Sequence, residues 1–237
     1  MKHLHPIRRT ASILAAVALA TLGCVSSLRA NLLVNAGFES PAIPKDTFSI
    51  MNQSQVPGWK STASDHAIEI WSTPFNGVSA FEGNQFAEIN ANMQEALYQD
   101  VTGIAAGEKL TFQLAHRGRL TVESMRFTIT DLGADGIAGT ADDVTLFAKT
   151  YSDGTANWGF YTSATESAII SKGDTIRVSY ASLTAGSYGN FLDGLSFDAT
   201  PTTLAPEPGT WAALSLLCFA TYGRGALRRM AGCNKKL

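Results

Sequence analysis

From Lys109 to His116 (KLTFQLAH) the chain alternates strictly, with Leu110, Phe112 and Leu114 on one parity and Lys109, Thr111 and Gln113 on the other. Successive side chains of an extended backbone point to opposite faces, so this stretch is a strand with one face buried and one in water. The pattern returns in Met125, Phe127 and Ile129 against Arg126, Thr128 and Thr130, and again in Ile176, Val178 and Tyr180 against Thr175, Arg177 and Ser179. Shorter strands are predicted over 32–35, 67–71, 86–91, 97–101, 144–150, 158–162 and 191–197. Turn chemistry separates them: Pro57-Gly58, Asn76-Gly77, Gly83-Asn84, Gly107, Gly173-Asp174 and Gly186. Nothing between these signals has the length or periodicity of a crossover helix, which a parallel sheet would need. The prediction is an all-β domain, an antiparallel β-sandwich, over residues 31–200.

Cysteine and charge divide the chain in the same places. Cys24, Cys218 and Cys233 all lie in the end segments, so the middle has no disulfide, thiolate metal site or thiol nucleophile. All 20 acidic residues fall between Glu39 and Glu207, with nine Lys/Arg beside them, a net charge of −11. Such a domain repels phosphate backbones, which disfavours nucleic acid and leaves cations and neutral sugars as partners.

The ends read as addresses. Lys2, Arg8 and Arg9 precede the apolar run Ala11 to Val25, and Ser26 to Ala30 closes it on small residues, a secretory signal peptide over 1–30. Leu22-Gly23-Cys24 leaves a lipoprotein reading open, and a retained helix is another. Residues 201–208 (PTTLAPEP) form an extended Pro/Thr linker. The last segment, 209–237, holds an apolar run, Trp211 to Tyr222, and a tail carrying Arg224, Arg228, Arg229, Lys235 and Lys236. This pattern predicts a transmembrane helix with a cationic stop, with a buried core helix as the alternative.

Pro206-Glu207-Pro208, the apolar run and the Arg228-Arg229 pair together resemble the PEP-CTERM sorting signal of exported bacterial proteins. The resemblance implies processing by an exosortase-type membrane enzyme and delivery to the cell surface or extracellular matrix. The middle resembles galactose-binding-like jelly rolls of carbohydrate-binding modules. The residues that carry this are Asn31 to Glu39 (NLLVNAGFE), Val56-Pro57-Gly58-Trp59, Ile68 to Trp71, Gly83 to Ala91 and Phe191 to Leu195. It implies a structural calcium ion tying the opening segment to the closing strand, at Glu39 and Asp193. The alternative for both residues is hydrogen bonding to backbone amides.

A sugar needs an aromatic face and planar polar partners for its hydroxyls. Glu69 and Trp71, which share a strand face opposite Ile68 and Ile70, lead the candidates, with Arg117 and Tyr188; Arg119 and Tyr98 are further possibilities. Trp59 and Trp158 sit beside glycines and read as core or corner residues. The acidic loop Asp131 to Asp143 has partial EF-hand spacing, but Gly133 removes a ligand, so a long solvated hairpin is the preferred reading.

Catalysis finds little support. There is no Gly-x-Ser-x-Gly or HExxH motif, and His116 ends a strand where a satisfied imidazole is expected. Glu69 with Glu88 would serve as a glycosidase pair only at suitable separation. The expectation is an exported, non-catalytic module that binds polysaccharide, with a structural or adhesive matrix protein and a glycan-degrading enzyme as alternatives.

Overall fold

The computed structural model describes residues 31–202. The strands are β1 (Phe48–Asn52), β2 (Lys60–Ser61), β3 (Ala67–Ser72), β4 (Gln85–Glu88), β5 (Ala96–Thr102) and β6 (Glu108–Arg117), followed by β7 (Glu123–Asp131), β8 (Val144–Asp153), β9 (Gly159–Thr162), β10 (Ile169–Ile170), β11 (Thr175–Ser182) and β12 (Phe191–Pro201). They pair antiparallel into two sheets. One has seven strands, in the order β1-β3-β4-β12-β6-β10 with β9 also on β6; the other has five, β2-β5-β11-β7-β8. This is the predicted all-β sandwich. Among the described residues no helix is long and apolar enough to cross a membrane. The predicted signal peptide, the sorting helix and the Pro206-Glu207-Pro208 motif lie outside the described residues.

The alternating strands behave as their parity requires. Leu110, Phe112 and Leu114 of β6 meet Met125, Phe127 and Ile129 of β7 and Ile176, Val178 and Tyr180 of β11 in one core between the sheets. Phe127 stacks near Phe112 at 4.7 Å and Tyr180 at 5.0 Å. Each such ring, fully buried, contributes roughly 2–3 kcal/mol. Trp59 is a core residue as expected: it lies on Phe38 at 4.7 Å and donates its indole N–H to the Asn35 carbonyl.

Three expectations are corrected. Residues 32–35 form no strand, because Asn35 and Phe38 adopt left-handed φ of 53° and 57°. The opening segment instead staples both sheets. Leu32 N–H bonds the Phe197 carbonyl of β12, and the Val34 backbone exchanges two bonds with the Gln99 side chain of β5. The strand predicted over 86–91 ends at Glu88, where Asn90 turns inward to bond the carbonyls of Thr184, Gly186 and Tyr188. Pro201, assigned above to the linker, is the last residue of β12.

The register of β12 on β6 shifts between Asp193 and Ser196, a bulge made possible by Gly194 at φ +57°. A Cβ on Gly194 would lie 2.6 Å from the Phe81 ring. Gly194→Ala is therefore expected to lower the urea-unfolding free energy by about 2–3 kcal/mol, adding clash to left-handed strain. Gly107→Ala, at φ +85° with open space around it, should cost only about 1 kcal/mol.

Candidate functional site

The seven-stranded sheet sets a row of side chains on its outer face. Glu69 of β3 stands directly opposite Glu88 of β4, Glu88 opposite Phe191 of β12, and Phe191 opposite Arg117 of β6. Parity alone makes these positions solvent-facing, yet all of β3 is buried, with Trp71 2% and Glu69 3% exposed. The loop from β3 to β4 folds back over the sheet and builds a second apolar cluster of Trp71, Val78, Phe86 and Phe191, with Phe75 and Trp158 packed against it. Trp71 contacts Phe75 at 4.7 Å and Phe191 at 4.8 Å. The expectation that Glu69 and Trp71 form an exposed sugar platform is thus corrected: this outer face is a second core.

Arg119, on the β6–β7 connection, closes the remaining gap. Its Nη1 donates to both oxygens of Glu88 at 2.7 Å, and its guanidinium lies between Trp71 at 4.8 Å and Tyr188 at 4.6 Å. Trp71 Nε1 donates to Glu69 at 2.7 Å, and the Gly189 amide to Glu88 at 2.8 Å. Arg119, sandwiched between two rings and paired to a carboxylate, is the residue that brings Glu69, Trp71 and Tyr188 together. Arg117 does not join them. It bonds the Thr155 carbonyl on the β8–β9 connection, and its Nε is buried with no partner among the described residues. Tyr188 is 54% exposed, whereas Glu69 and Trp71 are buried and Arg117 is half-buried.

Two carboxylates and one guanidinium share this buried space. Burial lifts the Glu69 carboxyl above its usual range; burial, with the neighbouring Glu69 charge, pushes Glu88 up to about 8. Both side chains are closed off from solvent. Glu88 holds Arg119 over Trp71, and Glu69 accepts the Trp71 indole N–H.

Glu39 and Asp193 converge on the loop 81–85. Glu39 accepts the amides of Asn84 at 2.6 Å and Gln85 at 2.9 Å, while Asp193 Oδ2 accepts those of Phe81 at 2.8 Å and Glu82 at 3.0 Å. This is the amide-bonded alternative, and among the described residues no group of three His, Cys, Asp or Glu has the arrangement of a metal site. Gly37 nonetheless leaves room beside them. A Cβ there would lie 3.2 Å from a Glu82 carboxylate oxygen, and 3.9 Å from both Asp193 Oδ1 and the Glu39 side chain. Burial, opposed by three amides and reinforced by the Glu82 charge, raises Asp193 to about 7. Among the described residues the carboxylate oxygens of Glu82 and Asp193 come to this spot, while the Glu39 carboxylate turns to the Asn84 and Gln85 amides.

Acidic residues of the loop Asp131 to Asp143 cap turns. Asp131 accepts the Gly133 and Lys172 amides, Asp142 the Ala134 amide and Asp143 the Gly139 amide, as a long hairpin between β7 and β8 requires. His116 is fully buried and bridges Asp153 and Asn190 at 2.6 Å each.

The outer face of the five-stranded sheet stays open. Tyr98 of β5 stands opposite Ser179 of β11 and Lys60 of β2, and Asp100 opposite Arg177. Arg177 forks onto Asp100 at 2.7 and 2.9 Å and lies 3.9 Å from the Tyr98 ring centre, with Lys60 5.9 Å from that ring. Thr128 of β7 and Ser179 extend the polar surface. Tyr98 was legible as a candidate; Arg177 and Asp100 were not, although their parity marks them as outward-facing.

No protein-family model matches the chain, and no curated protein matches it. Solved structures do resemble it. The Stig cyclase Fisc from Fischerella sp. TAU is similar over 72% of this chain and 97% of its own, at TM-score 0.52 and 17% identity. TmCBM61 in complex with β-1,4-galactotriose is similar over 72% and 99%, at TM-score 0.47 and 14% identity. The C-terminal family 22 carbohydrate binding module of Clostridium thermocellum Xyn10B is similar over 63% and 90%, at TM-score 0.43 and 13% identity. At such identities the likeness to the cyclase establishes the fold alone.

The buried acid pair sets a pH dependence. The folded value of Glu88 lies above its ordinary 4.5, so its contribution to stability is complete below pH 4.5 and is lost as pH rises through about 8. Unfolding free energy from urea titrations should fall by about 1–3 kcal/mol between pH ~5 and pH ~9. Glu69→Gln, which keeps an acceptor for Trp71, should flatten that decline. Arg119→Ala should cost about 3–5 kcal/mol by leaving buried charge unpaired.

Proposed function

We propose that the sandwich is a non-catalytic polysaccharide-binding module and that it grips its ligand on the open face of the five-stranded sheet. One observation carries this reading: half-buried Tyr98 lies on the polar outer face of the five-stranded sheet, with Arg177 over its ring and forked onto Asp100, and Lys60 beside it. Pyranose rings present an apolar C–H face and a rim of hydroxyls. An aromatic ring takes the first; a guanidinium and a carboxylate in one plane take the second. Strands lie about 4.8 Å apart, so five of them give a surface about 19 Å across, on which an extended chain can lie over several rings. Such an interface is wet and stable only by repetition, which suits a polymer better than a single sugar. Tyr188 belongs with the Arg119 clamp and is assigned no glycan contact.

The same proposal extends to delivery and to calcium. Residues 1–30 would export the chain, and an exosortase-type enzyme would recognise Pro206-Glu207-Pro208, the membrane helix and the Arg228-Arg229 stop, leaving the sandwich at the cell surface or in the matrix. Mass spectrometry of the mature protein should then find Asn31 at one end and a carboxyl end near Pro208; an intact full-length chain would overturn this. Calcium would sit beside Gly37, held by Glu39, Glu82 and Asp193, and would join the opening segment to β12 by neutralising the acids there.

Retardation of the protein in polysaccharide-loaded native gels tests the module. Tyr98→Ala and Arg177→Ala should each weaken binding at least about tenfold, the equivalent of about 1.4 kcal/mol. Absence of retardation by any neutral or acidic polysaccharide, with and without calcium, would end the reading. Saturating calcium, about 100 times its dissociation constant, should raise stability by about 2.7 kcal/mol, and Asp193→Asn should abolish that gain.

A further inference from the structure

The opposite side of the sandwich holds a concavity that neither the Tyr98 face nor the Arg119 clamp uses. Where β6 and β12 run side by side, Gln113 stands opposite Ser196 and Thr111 opposite Asp198, all on the outer face of the seven-stranded sheet. A short 3-10 turn at Ser163–Thr165, after β9, and the segment leading to β10 rise beside them as a wall. Together these enclose a groove of about 520 Å³ lined by Lys109, Thr111, Gln113, Glu166, Ser196 and Asp198, among others. That volume lies within the range of small-molecule sites.

The hydrogen-bond accounting of this groove is incomplete. Asp198 Oδ1 is out of contact with water and has no partner among the described residues. A buried acceptor left unmatched costs about 1–3 kcal/mol, which a ligand donor recovers once the Asp198 carboxyl rotates to turn that oxygen toward the groove. Burial also lifts the Asp198 carboxyl above its ordinary range, as an acid lacking a partner should be lifted. The other acid, Glu166, is occupied by Lys149 at 2.5 Å, and Ser163 Oγ by the Phe112 amide at 3.1 Å. Gln113, Thr111 and Ser196 supply an amide and two hydroxyls, each able both to donate and to accept.

The lining selects a ligand class. Its one aromatic residue, Phe112, belongs to the core between the sheets, so no ring is offered for a flat hydrophobic ligand. Lys109 and Asp198 bring opposite charges, so neither a bare anion nor a bare cation is favoured. Groups that both donate and accept, around one donor-seeking carboxylate oxygen, match the vicinal hydroxyls of a neutral sugar. We propose that this groove is a second saccharide site, sized for one or two sugar units, on the face opposite Tyr98. A rigid sandwich with sites on two opposite faces holds two glycan chains at once, so the module cross-links polymer and gains avidity from it.

The test uses the purified full-length chain and two readouts. In calorimetric titrations with neutral disaccharides (cellobiose, maltose, lactose, xylobiose), Gln113→Ala and Asp198→Ala should each weaken binding at least about tenfold, while Tyr98→Ala leaves it unchanged. Gln113 is exposed, so its truncation leaves the fold intact even if the Asp198 variant does not fold. In the second readout, turbidity with a retarding polysaccharide should be lost in Gln113→Ala although gel retardation persists through the Tyr98 face. Disaccharide binding that Tyr98→Ala removes and the groove variants spare would overturn the second site while supporting the first. Absence of disaccharide binding to the unmodified protein would overturn it as well. So would binding of calcium or methylammonium, abolished by Asp198→Asn, in place of any sugar.

Discussion

The last strand of the sandwich occupies the middle of its larger sheet, and most of what is distinctive here depends on that placement. β12 pairs with β4 on one side and β6 on the other, so residues near the end of the domain complete structures begun more than a hundred residues earlier. Phe191 fills the second apolar cluster, Asp193 fastens the loop 81–85, and Gly194 makes the bulge that lets Phe81 approach. Ser196 and Asp198 face the groove, and Phe197 anchors the opening segment. Pairings of such sequence separation carry a large loop-closure cost and assemble slowly. The domain has no disulfide to reduce that cost, and the staple from Asn31 to β12 links its two ends non-covalently.

The second cluster explains why charge is tolerated inside the fold. Removing Glu69 and Glu88 from water is unfavourable, and Arg119 offsets this only because it meets a carboxylate and two aromatic rings at once. Replacing Arg119 with an apolar residue would cover Trp71 but leave both acids stranded. The arrangement is therefore closed to solvent, with Glu69 and Glu88 both buried beside Trp71 and Arg119.

With that face closed, the outer surfaces of the two sheets have different fates. The five-stranded sheet stays bare and polar along Tyr98, Arg177 and Asp100. The seven-stranded sheet is roofed over its β3–β4 half and carries a groove where β6 and β12 run side by side. The two surfaces lie back to back across one core.

Strand parity was legible from the amino-acid order because alternation is a local property of extended backbone. It marked Leu110, Phe112, Val178 and Tyr180 as interior, and the absence of thiols in the middle limited what could hold it together. Parity also marked Glu69 and Trp71 as outward, and there it was insufficient: the β3–β4 loop and Arg119 bury that face. The opening segment read as a strand because Leu32 to Asn35 is extended and apolar in pattern, while its left-handed turns follow from bonds to Phe197 and Gln99. What tertiary structure alone decided is which strands are neighbours, which loop covers which sheet, and which polar groups are left without partners. Those outcomes rest on contacts between residues such as Thr111 and Asp198, far apart in the chain, whose register no local pattern encodes.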